Sequence, residues 1–196
     1  MTGPLTGIRM IDLGYFHSGV ACGYMLGDLG AEVIKVEERE RGDAYRGYTS
    51  SLRKHSLVVD GVHVLFDLAN RNKKSITLDL KKEKGKQILR SLVEKSDVFY
   101  TNFRKTVLAR LGADYATLRQ FNPRLIYGHA SGYGKGPESE RRIYDPTAMA
   151  RSGMMWSMGK REDPEPVHQV AGMCDQSGAI MMAWLDGRLD MQGTNR

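Results

Sequence analysis

The chain has 196 residues, of which 41% are hydrophobic and 27% are charged, a composition typical of a folded globular protein rather than a disordered one. Its longest apolar runs, such as residues 179–185, are far shorter than the roughly 18 to 20 residues of a membrane span, and the N-terminus lacks the apolar core of a secretory signal. We therefore expect a cytoplasmic protein. Two distant cysteines without CxxC spacing indicate neither a disulfide framework nor a zinc site, and the formal charge of +6 favours an anionic partner.

Strands and helices alternate along the first 140 residues. Short apolar runs predict strands at 7–13, 31–37, 75–80, 97–101 and 124–130, and helical spacing predicts helices at 20–30, 82–95, 107–112 and 115–121. A strand, a helix and a strand within about 30 residues form a βαβ unit with two parallel strands. The pattern predicts a doubly wound, Rossmann-like α/β fold with a largely parallel sheet and flanking helices.

Other segments are less regular. Residues 43–64 have no clear period and are predicted to be a loop. After about residue 137 a charged connector leads to a helical stretch at 144–159, a Pro-rich loop at 160–169 and a last helix that follows Asp175.

In a doubly wound sheet, ligands bind beyond the carboxyl ends of the strands. The loop GYFHSG after the first strand does not have the GxGxxG spacing of a dinucleotide site, which weakens a plain NAD-binding interpretation. His17 in this loop could donate a hydrogen bond to a ligand or could simply be exposed to solvent. The loop SGYGKGP after the fifth strand could bring N–H groups against an anion or could be a tight turn.

Asp175 lies among small residues in GMCDQSGA, directly before an apolar run. As the N-cap of the last helix it would accept the first amide groups of that helix. As a nucleophile at a helix N-terminus, it would be kept ionised by the helix dipole and free amides. Both roles can hold at once.

Six segments together resemble the type III CoA-transferase family, also called CaiB/BaiF. They are PLTGIRMIDLG, GDLGAEVIKVE with GD at 42–43, NRNKKSITLDLK, SDVFYTNFR, residues 111–137, and YD at 144–145 followed by GMCDQSG. The resemblance implies that Asp175 is the catalytic nucleophile. It also implies that CoA is held by Tyr15, Phe16, His17, Ser18, Arg39, Leu78, Lys81, Asn102, Phe103, Arg110 and Arg142.

The chemistry implied by the resemblance is transfer of coenzyme A between an acyl-CoA thioester and a small carboxylic acid, through an aspartyl-CoA thioester and without a metal. The resemblance also implies a division into a CoA-binding domain at 1–140 and a catalytic-aspartate segment at 141–196. Family members are longer and their subunits interlock, so we expect an incomplete version of that fold, which pairs as a homodimer or with a complementary chain.

Three alternatives stay open. Related 2-methylacyl-CoA racemases use a His where this chain has Tyr144, and a tyrosine hydroxyl is a poor general base at neutral pH, so CoA transfer is preferred. A non-catalytic CoA-binding fragment or subunit is the second alternative. Nucleic-acid binding through the basic excess is the weakest, because no interleaved aromatic residues or known motif support it.

Overall fold

The computed structural model describes residues 3–47, 58–160, 162, 165–167 and 172–193. Its strands are β1 (Arg9–Leu13), β2 (Glu32–Glu38), β3 (Val58–Val59), β4 (Val62–His63), β5 (Lys73–Leu78), β6 (Val98–Thr101) and β7 (Ile126–His129). Its helices are α1 (Phe16–Asp28), α2 (Val64–Asn70), α3 (Glu83–Val93), α4 (Lys105–Leu111), α5 (Tyr115–Leu118), α6 (Asp145–Arg151), α7 (Met154–Ser157) and α8 (Met173–Gly193). None of the described helices combines the length and apolarity needed to cross a bilayer.

Five strands form one parallel sheet in the order β5-β2-β1-β6-β7, and β3 pairs with β4 in a separate short hairpin. The strand order reverses between β1 and β6, because β1 is followed by β2 on one side while β6 is followed by β7 on the other. The predicted α/β fold with a parallel sheet is confirmed. In such sheets, the crevice at the reversal is where ligands bind.

The sheet is covered on both faces, so the residues of β1 and β6 are almost all buried. On one face, Leu89 of α3, Leu108 of α4 and Leu118 of α5 pack against the strands. On the other face, Cys22 and Leu26 of α1 pack together with part of α8. This second layer brings α8 beside α1, although the two helices are far apart in sequence.

The boundaries of two predicted segments were wrong. Helix α1 begins at Phe16 rather than at residue 20, so Phe16, His17 and Ser18 lie in its first turn and not in a loop. The segment 43–64 is not wholly a loop, because it contains a 3₁₀ turn at Ala44–Gly47, the β3–β4 hairpin and the first residue of α2. Residues 48–57 of this segment lie outside the described part of the chain.

Helix α2 was not predicted, because a hydrogen bond to its N-cap side chain, rather than a periodic apolar pattern, marks where it begins. The His63 side chain accepts a hydrogen bond from the Phe66 N–H at 3.1 Å, and Phe66 and Ala69 are the buried residues of this short helix. Seven residues are too few to establish a helical period in sequence.

Candidate functional site

The carboxylate of Asp145 caps helix α8. Asp145 Oδ1 accepts hydrogen bonds from the N–H groups of Cys174 at 2.7 Å and Asp175 at 3.0 Å, and Oδ2 accepts one from Gly172 at 3.2 Å. Such acceptors satisfy the amide groups that a helix N-terminus leaves without internal partners. The start of the helix that carries Asp175 is therefore fixed by a residue of α6, about 30 positions earlier in the chain.

The prediction that Asp175 is the N-cap of the last helix was wrong. Helix α8 begins at Met173, so Asp175 is inside its first turn. Asp175 also does not receive the amides that we expected to keep it ionised, since the N–H groups of Cys174 and Asp175 in α8, and of Gly172 just before it, donate to Asp145. Sequence reasoning overlooked Asp145 as a functional residue, although YD at 144–145 was among the segments of the resemblance.

The surroundings of Asp175 favour its neutral form relative to an exposed aspartate. Burial first, and then the negative charge of Asp145, raise the pKa of the Asp175 carboxyl. The nearby His17 and a hydrogen bond from the Ser18 N–H act in the opposite direction. An ionised carboxylate here has lost much of its hydration and keeps few donors, which makes it a more reactive nucleophile than a solvated one.

His17 contacts the residue that follows Asp175. Its Nε2 lies 2.5 Å from Gln176 Oε1, and the Gln176 amide donates to the Tyr24 hydroxyl at 3.0 Å. Gly172 lies beside His17, and its φ of 88° is in the left-handed region that favours glycine. The first turn of α1 and the first turn of α8 thus form one surface around the Asp175 carboxylate.

Asn102, which follows β6, holds the backbone between β1 and α1. Its Oδ1 accepts from the Tyr15 N–H at 3.1 Å and its Nδ2 donates to the Tyr15 carbonyl at 2.9 Å. Tyr15 and Asn102 thus meet where the strand order reverses. A side chain at Gly19 would collide with Asn102, since a Cβ there would lie 2.5 Å from its Oδ1.

A cavity of about 450 Å³ opens beside Tyr15. Five of the residues that the resemblance implicates in CoA binding line it, and they are Tyr15, Leu78, Lys81, Phe103 and Arg110. The Tyr15 and Phe103 rings meet edge to face with centroids 4.9 Å apart. The cavity therefore combines apolar and aromatic surface with two cationic side chains, and Glu37, Glu38 and Asp79 also line it.

The Tyr15 hydroxyl stays protonated at neutral pH. Burial, supported by nearby carboxylates, raises its pKa to about 12, although the Glu38 N–H that donates to the hydroxyl at 3.1 Å acts in the opposite direction. Since the hydroxyl accepts that bond, its own proton can be donated to a ligand.

The remaining predicted CoA contacts lie elsewhere. Phe16, His17 and Ser18 lie at the start of α1, on the side of Asp175, and Asn102 acts on Tyr15 as described. Arg39 and Arg142 are exposed and are not among the residues that line the cavity, and neither is the 131–137 loop. Within the described residues, no cluster of three or more His, Cys, Asp or Glu side chains could hold a metal ion.

We expect the substitution Asp145→Asn to lower the pKa of Asp175, because it removes a like charge while leaving one oxygen to accept the α8 amides. A carboxyl whose pKa is higher in the folded than in the unfolded state reduces the free energy of unfolding as pH rises between the two pKa values. This pH-dependent loss of stability should therefore be smaller in Asp145→Asn than in the wild type. The ¹³C shift of the Asp175 carboxyl, followed against pH, measures the effect. Asp114→Asn, which alters the carboxylate that caps α5, is the control, and an unchanged Asp175 titration in Asp145→Asn would contradict the expectation.

Comparison with known proteins places this chain within a family. The family model described as CoA-transferase family III matches residues 5–185. An acyl-CoA transferase of Fusarium pseudograminearum is 38% identical over 200 residues, covering 97% of this chain and 44% of the relative. A formyl-CoA:oxalate CoA-transferase of Rhodopseudomonas palustris is 37% identical over 183 residues, covering 93% of this chain and 41% of the relative.

A solved structure leads to the same assignment. The crystal structure of a CaiB/BaiF family protein from Brucella suis superposes with a TM-score of 0.87 at 32% identity, covering 98% of this chain and 50% of that one. The chain thus spans about half the length of the proteins it matches. By its sequence and its fold, the chain belongs to CoA-transferase family III.

Proposed function

We propose that this chain transfers coenzyme A between an acyl-CoA thioester and a carboxylic acid, with Asp175 as the nucleophile. The observation that carries the proposal is the partly buried Asp175 carboxylate in the first turn of α8, which the His17–Gln176 contact holds against the first turn of α1. Family membership supports CoA as the group transferred.

The proposed reaction needs four displacements at carbonyl carbon. An Asp175 oxygen attacks the thioester carbonyl, the C–S bond breaks, and CoA thiolate leaves behind a mixed anhydride. The thiolate then attacks the aspartyl carbonyl and releases the donor carboxylate, which gives an aspartyl-CoA thioester. The acceptor carboxylate attacks this thioester and expels the thiolate, which finally attacks the acceptor carbonyl and restores the Asp175 carboxylate.

The Ser18 N–H suits this sequence because charge develops on the aspartyl carbonyl oxygen in the middle two displacements. A backbone donor already directed at the Asp175 carboxyl would stabilise that oxygen without reorganisation. Each step passes a negative charge from a carboxylate to a thiolate or back. No protein group therefore has to gain or lose a proton.

Trapping the intermediate tests the nucleophile. The purified chain is incubated with short-chain and aromatic acyl-CoA thioesters and hydroxylamine, which displaces CoA from an aspartyl thioester and leaves a hydroxamate. We expect peptide mass spectrometry to find this modification at Asp175 and to lose it in Asp175→Ala. Cys174→Ser is the control for labelling of the neighbouring thiol, whose pKa is raised by burial and by the charges of Asp145 and Asp175.

The control variant should keep the modification. A hydroxamate that survives in Asp175→Ala would overturn the assignment of the nucleophile. CoA binding without any modification would instead favour the alternative, a non-catalytic CoA-binding chain that needs a complementary one.

We also propose that CoA enters the cavity beside Tyr15, where the aromatic and apolar lining suits a nucleobase and the cations suit phosphates. Lys81 and Arg110 would contact phosphate, while Phe16, His17 and Ser18 would lie near the thioester. Arg39 and Arg142 stay predicted contacts. The two parts of the site would be joined by the β1–α1 connection.

The contribution of the cavity can be measured by comparing two arginines. We expect Arg110→Ala to weaken CoA binding about tenfold. Loss of a charge-assisted hydrogen bond costs about 1.5–3 kcal/mol, and hydration of the freed phosphate offsets part of that cost. Arg142→Ala removes the same charge outside the cavity lining and should have a smaller effect. Titration calorimetry with CoA compares them, and an equal loss in both variants would place the binding surface beyond the cavity.

A second copy of the chain is the partner that we propose. Helix α8 exposes an apolar stripe, defined as Met173, Ile180, Met181, Trp184 and Leu185, whose members are 41–58% exposed. The spacing places them on one face of the helix, and an uncharged stripe is complementary to itself in a two-fold contact. The relatives carry additional chain of similar length, which makes a complementary polypeptide the other candidate.

Sedimentation velocity tests this pairing. We expect a concentration-dependent dimer, and we expect Met181→Glu to convert it to monomer because the dimer would bury two like charges. Lys84→Glu, on the exposed surface of α3, should leave the dimer unchanged. A wild-type chain that is monomeric at every concentration would overturn the homodimer and leave a complementary chain as the partner.

A further inference from the structure

Four charged side chains lie buried beneath the connection between β1 and α1. Asp12, Lys35 and Asp43 are at most 1% exposed, and the Lys73 side chain is 2% exposed. They form two ion pairs, Lys35–Asp43 and Lys73–Asp12, each with an N–O distance of 2.8 Å. Removing charges from water often costs as much as their attraction returns, so stability alone is a weak reason for this arrangement.

These charges also hold backbone groups of the connection. Lys35 Nζ donates to the Gly14 carbonyl at 2.9 Å, and Asp12 Oδ1 accepts from the Gly14 N–H at 3.0 Å. Asp43 Oδ1 accepts from the Phe16 N–H at 3.3 Å. Asn102 makes two hydrogen bonds to the Tyr15 backbone, so buried or half-buried polar side chains contact each residue from 14 to 16.

Phe16 shows why this support is needed. Its φ of 57° lies in the left-handed region, which a bulky side chain rarely adopts. Such a conformation persists only where the surroundings determine it. His17 and Ser18 follow directly, so rotation of the Phe16 backbone would redirect the Ser18 N–H away from Asp175.

Asp43 is itself held rigidly. The Asp43 N–H donates to Glu37 Oε2 at 2.9 Å, and the same carboxylate accepts from Arg46 Nε at 2.7 Å and Nη2 at 2.8 Å. The Ser75 hydroxyl donates to Glu37 Oε1 at 2.7 Å. The position of Asp43 is thus held through Glu37 of β2, which Arg46 and Ser75 of β5 hold in turn.

We propose that Asp43, paired with Lys35, is a positioning residue that holds the left-handed Phe16 backbone and so directs the Ser18 N–H at Asp175. The Asp43–Phe16 hydrogen bond and the left-handed Phe16 backbone are its geometric basis, and the first turn of α1 lies against that of α8 through His17 and Gln176. Its kinetic part rests on the proposed function.

Two double variants separate positioning from burial of charge. Lys35→Met with Asp43→Asn removes both charges but leaves a side-chain oxygen for the Phe16 N–H, whereas Lys35→Met with Asp43→Val removes that acceptor as well. We expect the Val variant to raise the pKa of Asp175 above that of the Asn variant, because the Ser18 hydrogen bond lowers this pKa. We also expect at least about tenfold faster hydrogen exchange at Ser18 in the Val variant than in the Asn variant.

Trapping of the Asp175 intermediate gives the kinetic readout. Trapping should be at least about tenfold slower in the Val variant than in the Asn variant, whereas the CoA dissociation constants of the two variants should agree within about threefold. Arg90→Met with Glu83→Val, which removes an exposed ion pair on α3, should leave pKa, exchange and trapping as in wild type. Circular dichroism confirms that each variant is folded before comparison.

Two outcomes decide the inference. Equal Asp175 pKa values and equal Ser18 exchange in folded Asn and Val variants would overturn it. If the wild-type chain is never modified at Asp175, the proposed function fails, whereas the pKa and exchange measurements still judge the positioning role separately.

Discussion

The carboxylate of Asp145 determines where α8 begins and therefore where Asp175 lies. A helix N-terminus needs acceptors for its amides, and Asp145 supplies them from α6. The same contact occupies the amides that could have stabilised an anionic Asp175. It also places the negative charge of Asp145 beside the Asp175 carboxylate. The helix is thus stabilised in a way that leaves its own carboxylate partly buried beside a like charge, which raises the pKa of Asp175.

Topology joins this carboxylate to the cavity. The strand order reverses between β1 and β6, so the segments that follow these strands face one crevice. Tyr15 after β1 lines the cavity, and His17, only two residues later, contacts Gln176 beside Asp175. A single connection therefore contributes to both parts of the site, and its backbone conformation affects both.

The sequence predicted the parallel sheet because its strands are apolar runs separated by helical periods, which are local features. It did not predict the start of α1 at Phe16, since that start depends on Asp43 and Asn102, which are distant in sequence. The capping role of Asp145 was overlooked for the same reason. The five cavity residues were named from the family resemblance. They lie on β5 and α4 and in the connections that follow β1, β5 and β6, so no local sequence pattern joins them.

The small residues around Asp175 meet separate physical needs. Gly172 has a positive φ and lies against His17, so a side chain there would be strained. Ala179 is fully buried where α8 approaches the layer that contains Cys22 and Leu26 of α1. The larger apolar side chains of α8, such as Met181 and Trp184, lie on its exposed face instead. Close packing on one face thus holds Asp175 near the first turn of α1, while the opposite face carries the surface that another chain could cover.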